Sequence, residues 1–313
     1  MNAGRPAHNL YLDLIPIPFV APHRLMPSLA TAPASSALRL RFGGVAFEVL
    51  GEGWAPSETY RRLCEPGYDA ALPLVRTSLR WDPSLRASPP GREIRWVRGG
   101  DRARIVASGF EAQIVRTAPR LFVASARLRP GGAACSTLLG ALGSYVLAQC
   151  EGLILHAAAV EFEGGALLFI GPSGAGKTTA AGLVRGGRWF AFDRVAIARL
   201  GGRWEAFALP GGSDLDHPLS ASERRGLPLR GILRVKQGRG GSRILPLSEP
   251  SALLRLRESA MAPSSDPAAE ATLLGSLHRL ATEVPMALAE TTLGQPLSDA
   301  LRTWLGAASE VPR

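Results

Sequence analysis

Lysine is almost missing from this chain. Two lysines, Lys177 and Lys236, stand among 313 residues, and nearly all of the positive charge behind a formal net charge of +10 is arginine. The arginines are scattered, while Ala, Gly and Pro are abundant, so the basicity reads as compositional bias rather than a dedicated basic face. That argues against a nucleic-acid-binding protein. Cysteine is also scarce. Cys64, Cys135 and Cys150 form no even set and have no metal-ligand spacing, which excludes a disulfide framework and a thiolate metal site and leaves reduced thiols as the expectation. No apolar run reaches the roughly 18 residues of a membrane-spanning helix. Near the start, Arg5 is followed by His8, Asp13 and several prolines rather than an apolar stretch, so no secretory signal is expected. A cytoplasmic protein without a membrane partner is the expectation that follows.

What is there points to a globular α/β protein. The apolar fraction is 46% and the charged fraction 20%, and 313 residues suffice for two domains or one large one. Residues 166–185 read ALLFIGPSGAGKTTAAGLVR. Ala166 to Ile170 has the short, bulky apolar run of a buried parallel strand, and Thr179 to Arg185 carries Ala and Leu at helical spacing until Gly186-Gly187. Between them, Gly171-Pro172-Ser173-Gly174-Ala175-Gly176-Lys177-Thr178 fits G-x-x-x-x-G-K-[ST], the phosphate-binding P-loop pattern, in the strand–loop–helix context that pattern requires. Glycines keep side chains away where backbone N–H groups must converge on phosphates, and the helix start adds its positive dipole end. The spacing predicts an ATP-phosphate site made of Gly171, Ser173, Gly174, Ala175, Gly176, Lys177, Thr178 and Thr179. Lys177 would reach the β- and γ-phosphates, and the Thr178 hydroxyl would take a position on Mg²⁺.

The remaining elements are read in order. Residues 1–36 are proline-spotted, with one candidate strand over Leu10 to Ile17. Gly43-Gly44 predicts a hairpin between Ala37–Phe42 and Val45–Leu50. Pro56 to Cys64 is a candidate short helix, and Leu72 to Pro90 reads as loop. Strand-like segments at Glu93–Val97, Arg102–Ala107, Glu111–Arg116 and Arg120–Ala126 make a meander, so residues 1–129 are expected to form a β-rich N-terminal domain for support or substrate choice. Residues 130–313 would form the second domain. It begins with a helix over Ala134 to Cys150 whose stripe of Leu138, Leu139, Leu142, Tyr145 and Val146 reads as core. A strand over Leu153 to Val160 bears His156, and Glu163-Gly164-Gly165 turns it back into the glycine loop's strand. Arg188 to Ile197 is expected as one strand containing Asp193. Trp204 to Leu209 follows a second glycine turn, and Pro210 to His217 is a loop with Asp214 and Asp216. Leu227 to Val235 is a strand in a locally basic stretch that includes Arg224, Arg225, Arg230, Arg234, Lys236, Arg239 and Arg243. Such a stretch is either solvated surface or a contact to phosphates or an acidic substrate. Ser248–Glu258 and Glu270–Ala281 read as helices around a loop at Met261 to Ala269, followed by a strand over Val284–Glu290 and a helix over Leu297–Leu305.

The combination LHAAAVEFEGGALLFIGPSGAGKTT followed by FAFDRVAI resembles the HPr kinase/phosphorylase family and its relatives in peptide-modification clusters, over about residues 150–240 and more weakly beyond. The resemblance implies a P-loop kinase domain related to phosphoenolpyruvate carboxykinase. It implies a phosphate- and metal-binding pair in Lys177 and Thr178, and a histidine, His156, ahead of the loop strand. It also implies that Asp193 is the second of two acidic residues around the transferred phosphate. The implied activity is ATP- and Mg²⁺-dependent transfer of the γ-phosphate to a hydroxyl, a serine of a protein or modified peptide, with Asp193 or His156 as the base and Thr178 and Asp193 on the metal. The chain departs from the family where Phe192 replaces the first aspartate, Pro228 the signature-strand glutamate, and Ala157 the glycine after the histidine. Arg230-Gly231 keeps part of that signature. Other readings stay open: His156 as a satisfied core histidine, Asp193 as a partner of Arg194 or Arg203, and Asp214 or Asp216 as capping residues or replacement carboxylates. At the level of function, a nucleotide-binding sensor without catalysis and a small-molecule kinase are the rivals, and self-association is left open.

Overall fold

The computed structural model describes residues 38–51, 72–85, 94–99, 101–129, 132–209, 226–261 and 267–310. The strand expected over Leu10 to Ile17, the helix expected over Pro56 to Cys64, and Asp214, Asp216, Arg224 and Arg225 lie outside these residues. Gly43 and Gly44, at φ 60° and 78°, join β1 (Leu38–Phe42) to β2 (Val45–Gly51) as an antiparallel hairpin. Positive φ at both turn residues suits the right-handed twist of the strands and is cheap for glycine. The meander is also present, as β4 (Arg95–Gly99), β5 (Arg102–Ala107), β6 (Phe110–Ala118) and β7 (Leu121–Leu128), antiparallel throughout.

The stretch from Leu72, expected as loop, instead supplies β3 (Leu74–Trp81), which lies parallel to both β2 and β7. It completes a mixed sheet in the order β1-β2-β3-β7-β6-β5-β4 among the described residues. Val75, Thr77 and Leu79 are buried while Arg76 and Arg80 are exposed. The period is therefore two, but a buried threonine in an apolar slot and flanking prolines hide it in the sequence.

Helix α1 (Gly132–Gln149) packs its expected stripe inward, with Leu138, Leu139, Leu142, Tyr145 and Val146 buried. The cluster it joins includes Phe47, Ile105, Phe122 and Leu128 of the first sheet and also Ile154, Ala196, Phe207 and Leu209 from beyond the helix. One apolar core therefore continues across the 129/130 boundary.

The second sheet starts from β8 (Gly152–Phe162), which turns at Glu163 (φ 49°) and Gly164 (φ 80°) into β9 (Gly165–Ile170). β9 is buried at every residue and lies antiparallel to β8 and parallel to β13 (Leu227–Gln237), which is in turn parallel to β15 (Met286–Thr291). The single strand expected over Arg188 to Ile197 is two segments, β10 (Arg188–Ala191), with a register shift between Trp189 and Ala191, and β11 (Arg194–Leu200), both on the same edge of β8 and separated by bends at Phe192 and Asp193. β12 (Arg203–Ala208) joins β11 to the start of β13. Ladder pairing thus runs β8–β11–β12–β13–β9 and back to β8. β14 (Arg243–Pro246), unexpected from four residues with only two apolar ones between an arginine and a proline, pairs with β15.

Helix α2 (Lys177–Gly182) and helix α5 (Ser298–Glu310) cover one face of this sheet, through Ala180, Ala181, Leu297, Leu301 and Leu305. Helix α3 (Glu249–Ser259) and helix α4 (Pro267–Glu283) cover the other, through Leu256, Leu273, Leu277 and Leu280. Gly231 on β13 is explained by this packing, since a Cβ there would lie 2.5 Å from the indole of Trp304 on α5. Among the described residues, no helix is long and apolar enough to cross a membrane.

Candidate functional site

β9 leaves the sheet at Gly171, buried and at φ 156°, and the chain passes through Gly174 (φ 76°) and Gly176 (φ 89°) into α2. Nothing stands within 4 Å of where a Cβ would be on Gly174 or Gly176, so these two are glycines for their backbone conformation and not for packing. Ser173, Gly174, Thr178 and Thr179 are exposed, Ala175 and Gly176 are half-buried, and Ala175 N–H closes a turn onto Pro172 O at 3.1 Å. The helix is shorter than expected, ending at Gly182 instead of Arg185. Leu183 N–H is shared between the carbonyls of Thr179 and Ala180, which tightens the last turn. The carbonyls of Leu183 and Arg185 are then engaged by Leu297 N–H and the Ser298 hydroxyl at the entry to α5.

Lys177 folds back over the loop. Its side chain is buried, and Nζ donates to the carbonyls of Gly171 at 3.0 Å and Pro172 at 3.2 Å. Burial lowers its pKa, the charge of Asp193 acts in the opposite sense, and Arg234 lowers it further. The ammonium thus rests on two neutral acceptors, with Asp193 and Arg234 both close enough to influence it.

His156 and Asp193 are brought together. Ala157 pairs with Ile170 in the β8–β9 ladder, so the register carried one step further sets His156 beside Gly171. On the other edge of β8, Ala157 N–H bonds Asp193 O at 3.0 Å. Nδ1 of His156 lies 3.0 Å from Asp193 O and 3.1 Å from its Oδ1. Both neighbours are acceptors, so Nδ1 carries a proton, and the tautomer this selects for a neutral ring has its lone pair on Nε2. The side chains of His156 and Asp193 are 39% and 58% exposed, so the pair is open to a ligand and is not a closed core contact. Asp193 also faces Arg194 at 3.8 Å.

Phe192 stacks on Trp189 with ring centroids 4.6 Å apart. Arg234, next to Ile170 in the β13–β9 ladder, lies against Gly171. Sequence reasoning placed Arg234 in a basic stretch without singling it out, because neighbouring strands are not visible in chain order. The aromatic stack left no separate signal. Of the other members of that stretch, Lys236 and Arg243 pair with Glu290, while Arg230 reaches Glu163 O.

For a divalent metal, the start of α2 offers the Thr178 hydroxyl and the bend between β10 and β11 the Asp193 carboxylate, both on exposed residues. Among the described residues no group of three or more His, Cys, Asp or Glu could hold a metal. One carboxylate and one hydroxyl suit Mg²⁺, which keeps waters and takes its other ligands from phosphates instead of a protein cage.

Residues 141–285 match a family model described as SynChlorMet cassette protein ScmC, a span that includes His156, the glycine loop, Asp193 and Arg234. No curated protein matches the chain. Over those residues, then, this chain is similar to the ScmC cassette proteins.

Proposed function

We propose that the chain is an ATP- and Mg²⁺-dependent phosphotransferase with a P-loop domain of the HPr kinase/phosphoenolpyruvate carboxykinase type, acting on a hydroxyl of a protein or modified peptide, with serine as the acceptor residue. The observation that carries this reading is the His156–Asp193 pair at the strand edge where the Gly171–Thr178 loop begins. In this reading the loop glycines present bare backbone to the phosphates, Lys177 exchanges its two carbonyls for phosphate oxygens, and Thr178 and Asp193 hold the metal, which supplies charge neutralisation on the phosphates. The acceptor oxygen forms a bond to the γ-phosphorus as the bond from that phosphorus to the β–γ bridging oxygen breaks, leaving ADP. The hydroxyl proton passes to Nε2 of His156, while Asp193 fixes the ring and its tautomer through Nδ1–H. The two candidate bases of the sequence are here one unit, a base and the group that orients it.

A second reading, a nucleotide sensor without catalysis, is favoured by the Trp189–Phe192 stack that occupies the position of the family's first aspartate. Transfer of label from γ-labelled ATP to a candidate peptide acceptor separates the two. The kinase reading expects transfer by the wild type and a fall of about 10² or more in both Asp193→Asn and His156→Gln, with metal-free nucleotide affinity little changed. Tight Mg-ATP binding with no transfer and no hydrolysis, even with the acceptor in hand, would leave the sensor.

A further inference from the structure

Arg234 is the charged group at the loop that the reaction above does not use. Its strand, β13, is the parallel neighbour of β9, and Arg234 pairs with Ile170, the residue before the loop. Its guanidinium lies on Gly171: a Cβ at that glycine would overlap Nη1 and approach Cζ to 3.6 Å. The first glycine of the motif therefore makes room for an arginine as well as for a ligand. Nη1 donates to the carbonyl of the adjacent Val235 at 3.1 Å. Among the described residues no salt bridge engages Arg234, whereas neighbouring arginines are paired, Arg255 with Glu258 and Arg243 with Glu290. Burial and the charge of Arg255 both disfavour the cation at position 234, with Glu258 as a partial offset. A partly desolvated guanidinium hydrogen-bonded to the carbonyl of its own neighbour has donors left to give, and its fork suits a phosphate.

The position also selects which phosphate. In loops of this pattern the lysine serves the β/γ end of the nucleotide, and here Lys177 Nζ rests on the carbonyl of Gly171, the residue Arg234 covers. Lys177 belongs to α2 on one face of the sheet, and Arg234 shares the α3 side, where Arg255 and Glu258 influence it. The two cations thus approach the start of the loop from opposite faces, while Gly174 and Gly176 lie toward the helix. We propose that Arg234 is a ligand of the terminal phosphate, an arginine supplied by the chain itself that lets the site distinguish a nucleoside triphosphate from its diphosphate. The assignment rests on the reading of Gly171–Thr178 as a phosphate loop.

The experiment is calorimetric titration of the full chain and of Arg234→Met with two probes, Mg-ADP and the Mg complex of the non-hydrolysable β,γ-imido analogue of ATP. The expected result is a wild type that prefers the triphosphate, and an Arg234→Met protein that binds ADP within about twofold of wild type but has lost at least about tenfold of that preference, the loss of one charge-assisted contact. A purely structural role would weaken both probes alike and leave their ratio intact. If Arg234→Met loses ADP affinity as well, Arg234→Gln, which keeps a polar side chain without the charge, decides: ADP binding kept with a reduced triphosphate preference supports the assignment, and a wild-type preference overturns it. A wild type that binds both nucleotides beside an indistinguishable Arg234→Met protein also overturns it, while leaving the loop reading intact. A wild type that binds neither nucleotide removes the loop reading, and this assignment with it.

Discussion

Lys177 sits where a cation is poorly served. Burial lowers its pKa, Asp193 partly offsets that, Arg234 adds to it, and the hydrogen-bond partners of Nζ are two neutral carbonyls. The sign follows from linkage. A folded-state pKa below the unfolded one means that the charged amine weakens the fold, and that this penalty fades as pH rises through the folded value toward the unfolded one. A phosphate at the loop would reverse the balance by giving the ammonium a charged partner. Lys177→Ala should accordingly cost on the order of a few kcal/mol of Mg-ATP affinity. Calorimetry on both proteins checks this, and equal affinities would remove the phosphate loop from the account. The residue-scale features that sequence could read were those written in adjacent positions: the glycines, Lys177, Thr178. The contact between His156 and Asp193 spans 37 positions, and it needs the β8–β11 ladder before it exists.

At the scale of elements, β3 is where sequence reading failed, and its end is where the sheet is pinned. Asp82, just past the strand, accepts from the backbone N–H of Ser84 at 2.9 Å, from the Ser84 hydroxyl, and from Nε of Arg127 on β7 at 2.8 Å. The Ser84 and Arg127 side chains hold its pKa at about 2, below the ordinary 3.8. A depressed carboxyl stabilises the fold fully above the unfolded value, and its contribution disappears as pH falls through the folded one. Denaturant unfolding followed between pH 4 and pH 2 should therefore show a steeper loss of stability in the wild type than in Asp82→Asn, and parallel curves would show that this anchor contributes nothing. Strands with glycine turns beside them, at Gly43-Gly44, Gly164 and Gly201-Gly202, were legible, and β13 and β15 were legible from their apolar runs. β3 lacks that glycine punctuation, β14 is only four residues long although Gly240-Gly241 stand just ahead of it, and both pair with distant sequence, Leu121–Leu128 and Met286–Thr291. The expected strand over Arg188 to Ile197 was legible as extended chain, but the register shift between Trp189 and Ala191 and the bends at Phe192 and Asp193, where Phe192 stacks on Trp189 and Asp193 meets His156, had no mark of their own.

For the whole molecule, the shared core matters more than the boundary drawn where the expected meander gives way to a helix. Tyr145, Leu138 and Leu142 of α1 are fully buried in a cluster that takes members from both sheets. At the same contact, a Cβ on Gly44 of the first hairpin would lie 2.9 Å from the ring of Phe207 on β12. A fragment of residues 130–313 would expose the α1 face that the first sheet covers. We expect it to bind a hydrophobic dye that the full chain does not and to melt at lower temperature, while any nucleotide affinity is retained. A fragment as stable as the full chain and equally free of dye would show that the helix needs no cover from the first sheet.

The circuit of ladders through β8, β11, β12, β13 and β9 has a mechanical consequence. Strands in an open sheet can slide or splay one at a time, but in a ring each slip must be matched by every other member. His156, Gly171 and Arg234 ride on three consecutive members of that ring, so the distances among their backbones are set by the hoop as a whole. Beside that frame, Gly174 and Gly176 stand with open space where a Cβ would be, so fitting a visiting molecule would call on that short run of chain before it called on the strands.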